Sequence, residues 1–405
     1  MQFSSVIGQQ HLKEQLLQMV QQNRLSHALL FLGKEGSGAL SMARAFAQYV
    51  VCEKVSGKVK KQDGGPSLFG EPGPVAETAV LADSCGVCAA CIKATKLIHP
   101  DIHFSYPVIT KKSGEQPIST DYINEWRQFI IPNPYGNSYD WLQFIDAENK
   151  QGNITAKECN EIIHKMSLKS FEAEYKILIL WMPELLGKEG NKLLKLIEEP
   201  PPNSLFILVA ENESLILPTI LSRTQLVKIP ILNASDIQAA LEQMQEVPAG
   251  KAAQIAGISE GNYHEALEQL RNADDDWELL LRDWLNSILK TGPAAQVKWI
   301  EEAAKLGREK QKQFLKYFTH LLEHAIRIRI MGSQPQNMPH SEQSVFDFAQ
   351  RLNKICSIEQ QEAIMNELDQ ASYYIERNAN AKMLFHALTI KLYHIISNKS
   401  VILVN

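Results

Sequence analysis

The stretch ALLFLGKEGSGAL, residues 28–40, predicts the fold class of this 405-residue chain. It opens with five apolar residues, turns through three glycines and continues with helical spacing to about Val51. A short apolar strand, a glycine turn and a helix in that order form a phosphate-loop unit. Such a unit belongs to α/β domains, so we expect parallel strands that are connected by helices.

The glycine turn lacks the charged groups of a working phosphate loop. Such a loop reads G-x-x-x-x-G-K-[ST], because the lysine neutralises the β- and γ-phosphates and the hydroxyl holds magnesium. Lys34 lies at the front of the turn and would have to reach round it to act as a substitute. We therefore expect no catalytic ATP at this degenerate loop, which consists of Gly33, Gly36, Gly38 and, at the lysine and hydroxyl positions, Ala39 and Leu40.

Two further strands are predicted downstream. KILILW at 176–181 and SLFILVA at 204–210 are almost wholly apolar, as expected of parallel strands that are buried on both faces. An intact ATPase of this type carries acidic residues at the end of the first of these strands, where this chain has Trp181 and Met182. The nearest carboxylate, Glu184, follows a proline and is expected to be solvated. A second part of the catalytic apparatus is therefore missing.

Four of the six cysteines form a pattern that is typical of metal-binding sites. Cys85, Cys88 and Cys91 have the spacing C-x2-C-x2-C, and Cys52 lies upstream at the end of the preceding helix. Thiolates at such spacing can converge on zinc at about 2.3 Å from the ion. An iron–sulfur cluster and unligated buried cysteines are the alternatives. A four-thiolate zinc site has no open coordination position, so we expect structural Zn²⁺ without a catalytic role.

The rest of the chain divides by composition. The segment 53–84 is rich in glycine, proline and serine and is predicted to be an inserted loop, and no role is assigned to it or to residues 102–170. From about Asn233 onward the pattern is helical. The net charge of −5 argues against a uniformly basic surface. Since no apolar run approaches membrane-spanning length and the start lacks a signal-like segment, we expect a cytoplasmic protein.

Several motifs together resemble the bacterial DNA polymerase III clamp-loader AAA+ subunits over about residues 1–275. They are FSSVIG at 3–8, SHALLF at 26–31, the cysteine module followed by HPD at 99–101, LLKLIEEPP at 193–201 and ILSR at 220–223. The resemblance implies an AAA+ core at 1–230, with a parallel sheet, helices on both faces and an inserted zinc-binding module. A small helical lid at 231–273 and an all-α C-terminal collar domain at 274–405 would follow.

Within this family, the degenerate loop resembles the delta-prime subunit and departs from the gamma/tau-type motors. His264 stands where the motors have an arginine that senses nucleotide. The motors' serine-arginine-cysteine motif is similar to Ser222-Arg223-Thr224 here, with the third position altered. The resemblance implies that Arg223 is an arginine finger that stabilises phosphate charge in a neighbouring subunit, although a lone arginine there would otherwise be a surface charge.

The resemblance therefore implies a non-hydrolysing stator, which is not an enzyme on its own but a component of the DNA polymerase III holoenzyme. Its implied partners are the gamma/tau motor and delta subunits in a hetero-pentameric ring. The sliding clamp and primer-template DNA are reached through that assembly. The alternatives are a gamma/tau-type ATPase motor and a zinc-containing adaptor outside replication.

Overall fold

The computed structural model of this protein divides into two compact units, Met1–Arg271 and Asn272–Asn405. The residues that it describes are 1–56, 82–110, 116–147, 152–271, 277–331, 340–377 and 379–397. Most of the predicted inserted loop at 53–84 therefore lies outside the described residues. The boundaries at 230/231 and 273/274 stay predictions.

A five-stranded parallel sheet lies in the middle of the first unit, with the strand order β2-β3-β4-β1-β5. The strands are β1 (Ala28–Leu32), β2 (Ile102–Ser105), β3 (Lys176–Trp181), β4 (Ser204–Ala210) and β5 (Gln225–Lys228). In the register of the central pair, Ala28 of β1 lies opposite Phe206 of β4, and Leu32 lies opposite Ala210. Because parallel neighbours run in one direction, β1, β3 and β4 end at the same edge of the sheet.

Helices cover both faces of this sheet, which confirms the predicted fold class. They are α1 (Gln10–Gln21), α2 (Ala39–Val51), α3 (Ala89–Thr95), α4 (Ile123–Ile130), α5 (Ser138–Phe144), α6 (Ala156–Ser167), α7 (Leu194–Glu198) and α8 (Pro218–Leu221). Leu29 and Phe31 of β1 pack with apolar residues of α1, α2, α4 and α5. Ala28 and Leu30 point to the opposite face and pack with residues of α6, α7 and α8. The alternation follows from the two-residue period of a strand.

Three more helices complete the first unit: α9 (Ala234–Met244), α10 (Ala249–Ile258) and α11 (Tyr263–Arg271). We call residues 234–271 the helical module. Its apolar core includes Ile237, Leu241 and Tyr263. Three residues from outside the module belong to the same core: Ile7, Tyr135 and Leu232. The module is therefore packed on the sheet-bearing part of the unit.

The described part of the second unit is helical. It contains α12 (Trp277–Asn286), a π-helical turn (Ser287–Thr291), α13 (Pro293–Ala303), α14 (Arg308–Met331), α15 (His340–Ile355), α16 (Ile358–Glu376) and α17 (Ala381–Ser397). Its core is centred on Trp284 and Trp299, whose rings stack with centroids 4.6 Å apart. This confirms the predicted all-α C-terminal portion. Within the described ranges, no helix combines the length and the apolar character needed to cross a membrane.

Candidate functional site

The glycine loop has the backbone shape of a phosphate cradle at the start of α2. Gly36 and Gly38 have left-handed φ angles of 70° and 87°. A Cβ atom on Gly36 would lie 1.8 Å from Oδ1 of Asn262, and one on Gly38 would lie 2.9 Å from the Tyr135 ring. Both positions therefore require glycine because of the backbone conformation and because of these close neighbours.

The space over this loop is nearly filled by the chain's own residues. It is lined by loop residues 33–36 and 38–40, by residues 134–137 and by the ends of β3 and β4, and the remaining free volume is about 30 Å³. A buried water needs about 10–15 Å³ in such a cavity. The space left between these residues therefore has room for water-sized molecules. We call this space, between the glycine loop, residues 134–137 and the ends of β3 and β4, the cleft.

Trp181 is the last residue of β3, at a position where an intact ATPase has an acidic residue. It is buried, with an exposed fraction of 4%, and its ring centroid lies 5.3 Å from that of Trp126. Trp126 in turn stacks on Tyr106 at 4.0 Å and meets Trp141 edge-on at 5.1 Å. The unassigned segment 102–170 thus supplies an aromatic cluster that packs behind Trp181. Position 181 is a core position.

Glu184 is not the solvated residue that the sequence predicted. Its Oε1 accepts hydrogen bonds from the backbone N–H groups of Glu211 at 2.6 Å and Asn212 at 2.9 Å, since the turn after Pro183 directs it toward the end of β4. Burial raises the pKa of Glu211 to about 8, and the neighbouring carboxylates of Glu35 and Glu184 act in the same direction. Carboxylates beside the cleft make it unfavourable for a phosphate group.

His264 joins two carboxylates that come from distant parts of the chain. Its Nε2 lies 2.6 Å from Oδ2 of Asp140, and its Nδ1 lies 3.3 Å from Oε1 of Glu35 in the glycine loop. Burial of the imidazole lowers its pKa, but the bonds to Asp140 and Glu35 outweigh burial and raise it to about 10. His264 is therefore a cation at neutral pH, and the pKa of Glu35 falls to about 2 against the effect of its own burial.

Arg223 lies at the surface, just after α8. Its Nε donates to Oε1 of Glu198 at 2.5 Å, and its Nη1 donates to the carbonyl oxygen of Thr219 at 2.8 Å. One third of the side chain is exposed. The two motifs at 193–201 and 220–223 therefore meet here, and Glu198 and Thr219 orient the guanidinium of Arg223.

The structure brings the four predicted metal-ligating cysteines together. The sulfurs of Cys52, Cys85, Cys88 and Cys91 all lie within 4.8 Å of one another, and those of Cys85 and Cys91 are 3.9 Å apart. Four sulfurs placed tetrahedrally at 2.3 Å from zinc would be about 3.8 Å apart, whereas a disulfide needs about 2.05 Å. The geometry fits a closed four-thiolate site.

The backbone around the thiols agrees with metal binding. The N–H groups of Cys85, Cys88 and Cys91 each point at the sulfur of another cysteine in the set, at 3.4 Å. Burial opposes ionisation of Cys85, but N–H bonds from Val87 and Cys88 outweigh it and lower its pKa to about 7. Burial raises the pKa of Cys88 and of Cys91, so the support for a metal comes from the geometry. The other two cysteines, at positions 159 and 356, are buried in separate cores.

The HPD motif attaches the cysteine module to the sheet. Asp101 is fully buried, and its carboxylate accepts the backbone N–H groups of Phe171, Glu172 and Ala173 at 2.5, 2.8 and 2.8 Å. Glu172 also lies 3.3 Å from His99 and pairs with Lys93 on α3. The sequence alone predicted no role for this motif, although its position shortly after the cysteines was a signal.

Among curated proteins, this chain is similar to subunits of DNA polymerase III. The tau subunit of Bacillus subtilis is 26% identical over 278 residues, which cover 67% of this chain and 37% of the relative. The delta' subunit of the same bacterium is 26% identical over 257 residues, which cover 64% and 57%. The match therefore spans little more than a third of the first relative and little more than half of the second.

Among solved structures, a DNA polymerase III gamma subunit-related protein from Thermotoga maritima aligns with 94% of this chain and 98% of its own length, at 12% identity and a TM-score of 0.36. The family assignment comes from sequence. The family model described as DNA polymerase III, delta subunit, matches residues 8–64 and 75–233. This chain therefore belongs to the DNA polymerase III, delta subunit, family.

Proposed function

We propose that this chain is the non-hydrolysing delta-prime subunit, or stator, of the DNA polymerase III clamp loader. The observation that carries this proposal is the filled cleft at the glycine loop. Ala39 and Leu40 replace the phosphate-binding groups, Trp181 is built into the core, and about 30 Å³ remains free. A subunit with this cleft does not hydrolyse ATP by itself, and contributes to the holoenzyme through its contacts.

The gamma/tau-type motor is the competing function. Sequence similarity does not distinguish the two, because the tau and delta' relatives each share 26% sequence identity with this chain. The chemistry of the glycine loop supports the stator. A motor needs a lysine for the phosphates and oxygen ligands for magnesium, and the chain places Ala39, Leu40 and Trp181 at those positions.

The stator gives Arg223 in trans to the ATP of a neighbouring motor subunit. Two features support this role: the guanidinium is one-third exposed, and Glu198 and Thr219 hold it by hydrogen bonds. Surface ion pairs are worth about 0–1 kcal/mol. Exchanging Glu198 for phosphate oxygens in an interface therefore costs little, and a permanently charged guanidinium stabilises the charge that develops on the transferred phosphoryl group.

The four cysteines hold structural Zn²⁺ in this proposal. Cys52 ends α2 and the other three surround the start of α3, so the ion would tie the helix of the glycine loop to the cysteine module. A closed four-thiolate site supplies folding free energy and leaves no position for a substrate.

The proposed partners follow from the role. The chain sits in a hetero-pentameric ring with gamma/tau motor subunits and delta, and meets the sliding clamp and primer-template DNA through that assembly in the cytoplasm. Its part in the reaction is allosteric, since the geometry of Arg223 in the ring sets the activity of the neighbour's site.

The test is the ATPase activity of a loader reconstituted from this chain with the motor and delta subunits of its own organism, in the presence of clamp and primed DNA. We expect Arg223→Ala and Arg223→Lys to lower turnover at least tenfold while gel filtration shows an intact ring. Arg24→Ala, at an exposed arginine elsewhere, is the matched control and keeps full turnover. Undiminished turnover of Arg223→Ala, or ATP hydrolysis by the isolated chain, would contradict the proposal.

A further inference from the structure

Tyr135 contacts three separate elements from inside the cleft. Its hydroxyl accepts a hydrogen bond from the backbone N–H of Ile7 at 2.8 Å. Its ring meets the ring of Tyr263 on α11 edge-on, with centroids 4.9 Å apart, and lies against Gly38 of the glycine loop. The side chain is 6% exposed. One aromatic residue therefore joins the N-terminal segment, the loop and the helical module.

The residues around Tyr135 are fixed at both ends. Ser41 on α2 donates from its hydroxyl to the carbonyl oxygen of Pro134 at 2.6 Å. Asn137 caps α5 by accepting the N–H of Asp140 at 2.8 Å. This cap places Asp140 in the first turn of α5, where its carboxylate reaches His264. The segment 133–140 is thus anchored to the sheet side of the cleft.

The same segment holds α11 near its start and at its end. Asp140 pairs with His264, in the first turn of α11, and Asn133 accepts a hydrogen bond from Arg271, the last residue of α11, at 3.1 Å. The loop adds a direct contact, since the N–H of Tyr263 donates to the carbonyl oxygen of Gly36 at 3.2 Å. Helix α11 is therefore bound to the loop and to the segment by the chain's own residues.

From these contacts we propose that residues 133–140 act as a built-in ligand of the cleft, which holds the helical module closed on the sheet in the absence of nucleotide. A ligand shifts a conformational equilibrium only through its different affinities for the two states. In this chain the group that favours the closed state is covalently part of the protein. This inference goes beyond the stator function, because it concerns the isolated chain and does not depend on Arg223.

Amide hydrogen exchange of the isolated full-length chain tests the proposal, with peptides that cover residues 249–271. We expect strong protection without nucleotide, and no change on addition of millimolar MgATP. Tyr135→Ala removes the aromatic contacts and Asp140→Asn removes one charge from the pair with His264. Each is expected to accelerate exchange in α11 about 10- to 100-fold, while Tyr135→Phe, which keeps the ring and loses the hydroxyl, has a smaller effect.

Asp146→Asn is the matched control, because Asp146 is exposed and follows α5 directly, and its exchange profile is expected to equal that of the wild type. Two results would overturn the proposal: protection of the wild-type module that rises when MgATP is added, or unchanged exchange in α11 for both Tyr135→Ala and Asp140→Asn. If a variant fails to fold, as judged by circular dichroism, the wild-type measurement with and without MgATP still decides.

Discussion

Replacement of Asp101 by asparagine should release the turn that precedes β3. The buried carboxylate accepts three backbone N–H groups, from Phe171, Glu172 and Ala173. Asparagine retains one acceptor oxygen and presents an NH₂ group to at least one of these donors. Hydrogen bonds to a charged group contribute about 1.5–3 kcal/mol each, and an unsatisfied buried donor costs about 1–3 kcal/mol. We expect Asp101→Asn to reduce the local opening free energy by about 2–4 kcal/mol.

Hydrogen exchange of peptides that cover residues 168–175 measures this loss directly. A factor of ten corresponds to about 1.4 kcal/mol, so exchange should accelerate about 30- to 1,000-fold. Asp83→Asn is the matched control, because Asp83 also accepts three backbone N–H groups, from Phe3, Ser4 and Ser84, in a different part of the unit. It should leave the 168–175 peptides unchanged. Equal exchange in wild type and Asp101→Asn would refute the argument.

The same carboxylate gives the effect a pH dependence. Burial of Asp101 alone would raise its pKa, but the N–H bonds from Ala173, Phe171 and Glu172 outweigh burial and lower it. The stabilisation is therefore present at neutral pH and is lost as the pH falls below about 4, where the carboxylate of the unfolded chain takes up a proton first. The difference between wild type and Asp101→Asn should shrink in acid.

Three further results are expected. The pKa of Glu211 is raised from 4.5 to about 8, and that of His264 from 6.5 to about 10, so the free energy of unfolding should fall as the pH rises from 5 to 10. In His264→Gln, the free energy of unfolding should depend less on pH above pH 6.5. Chemical denaturation at several pH values measures both effects. Cys88→Ser should lower bound zinc from about one per chain to less than half, whereas Cys356→Ser should not, by elemental analysis after gel filtration. Trp181→Asp should destabilise the chain by about 3–5 kcal/mol in thermal denaturation, since it removes a buried ring, and phosphate release should remain absent.

Local sequence patterns predicted the elements whose signals are local. The strands at 28–32, 176–181 and 204–210 were found within their actual bounds, because a strand covered on both faces is continuously apolar. The strands β2 and β5 were missed. Of the four residues of β5, only Val227 is buried, and β2 contains His103 between its apolar residues, so neither has a continuous apolar run.

The candidate site was predicted in part for the same reason. The cysteine spacing and the missing lysine can be recognised from short stretches of sequence. The structure brings the four sulfurs together, as predicted. The contacts that fill the cleft depend on the folded chain: Tyr135 meets Ile7, which is 128 residues away, and Asp140 meets His264, which is 124 residues away. No short-range pattern encodes such pairs, so the segment 102–170 carried no functional prediction.

If this chain is the proposed stator, the aromatic and carboxylate groups around the cleft make its loss of nucleotide chemistry hard to reverse. Ala39 and Leu40 are themselves buried, so Ala39→Lys with Leu40→Thr would place a longer, charged side chain in the small space that Tyr135 and Trp181 also line. Either substitution made alone would destabilise the fold and would not restore nucleotide binding. Under the proposed function, recovery of ATPase activity would need the loop, the segment 133–140 and Trp181 to change together.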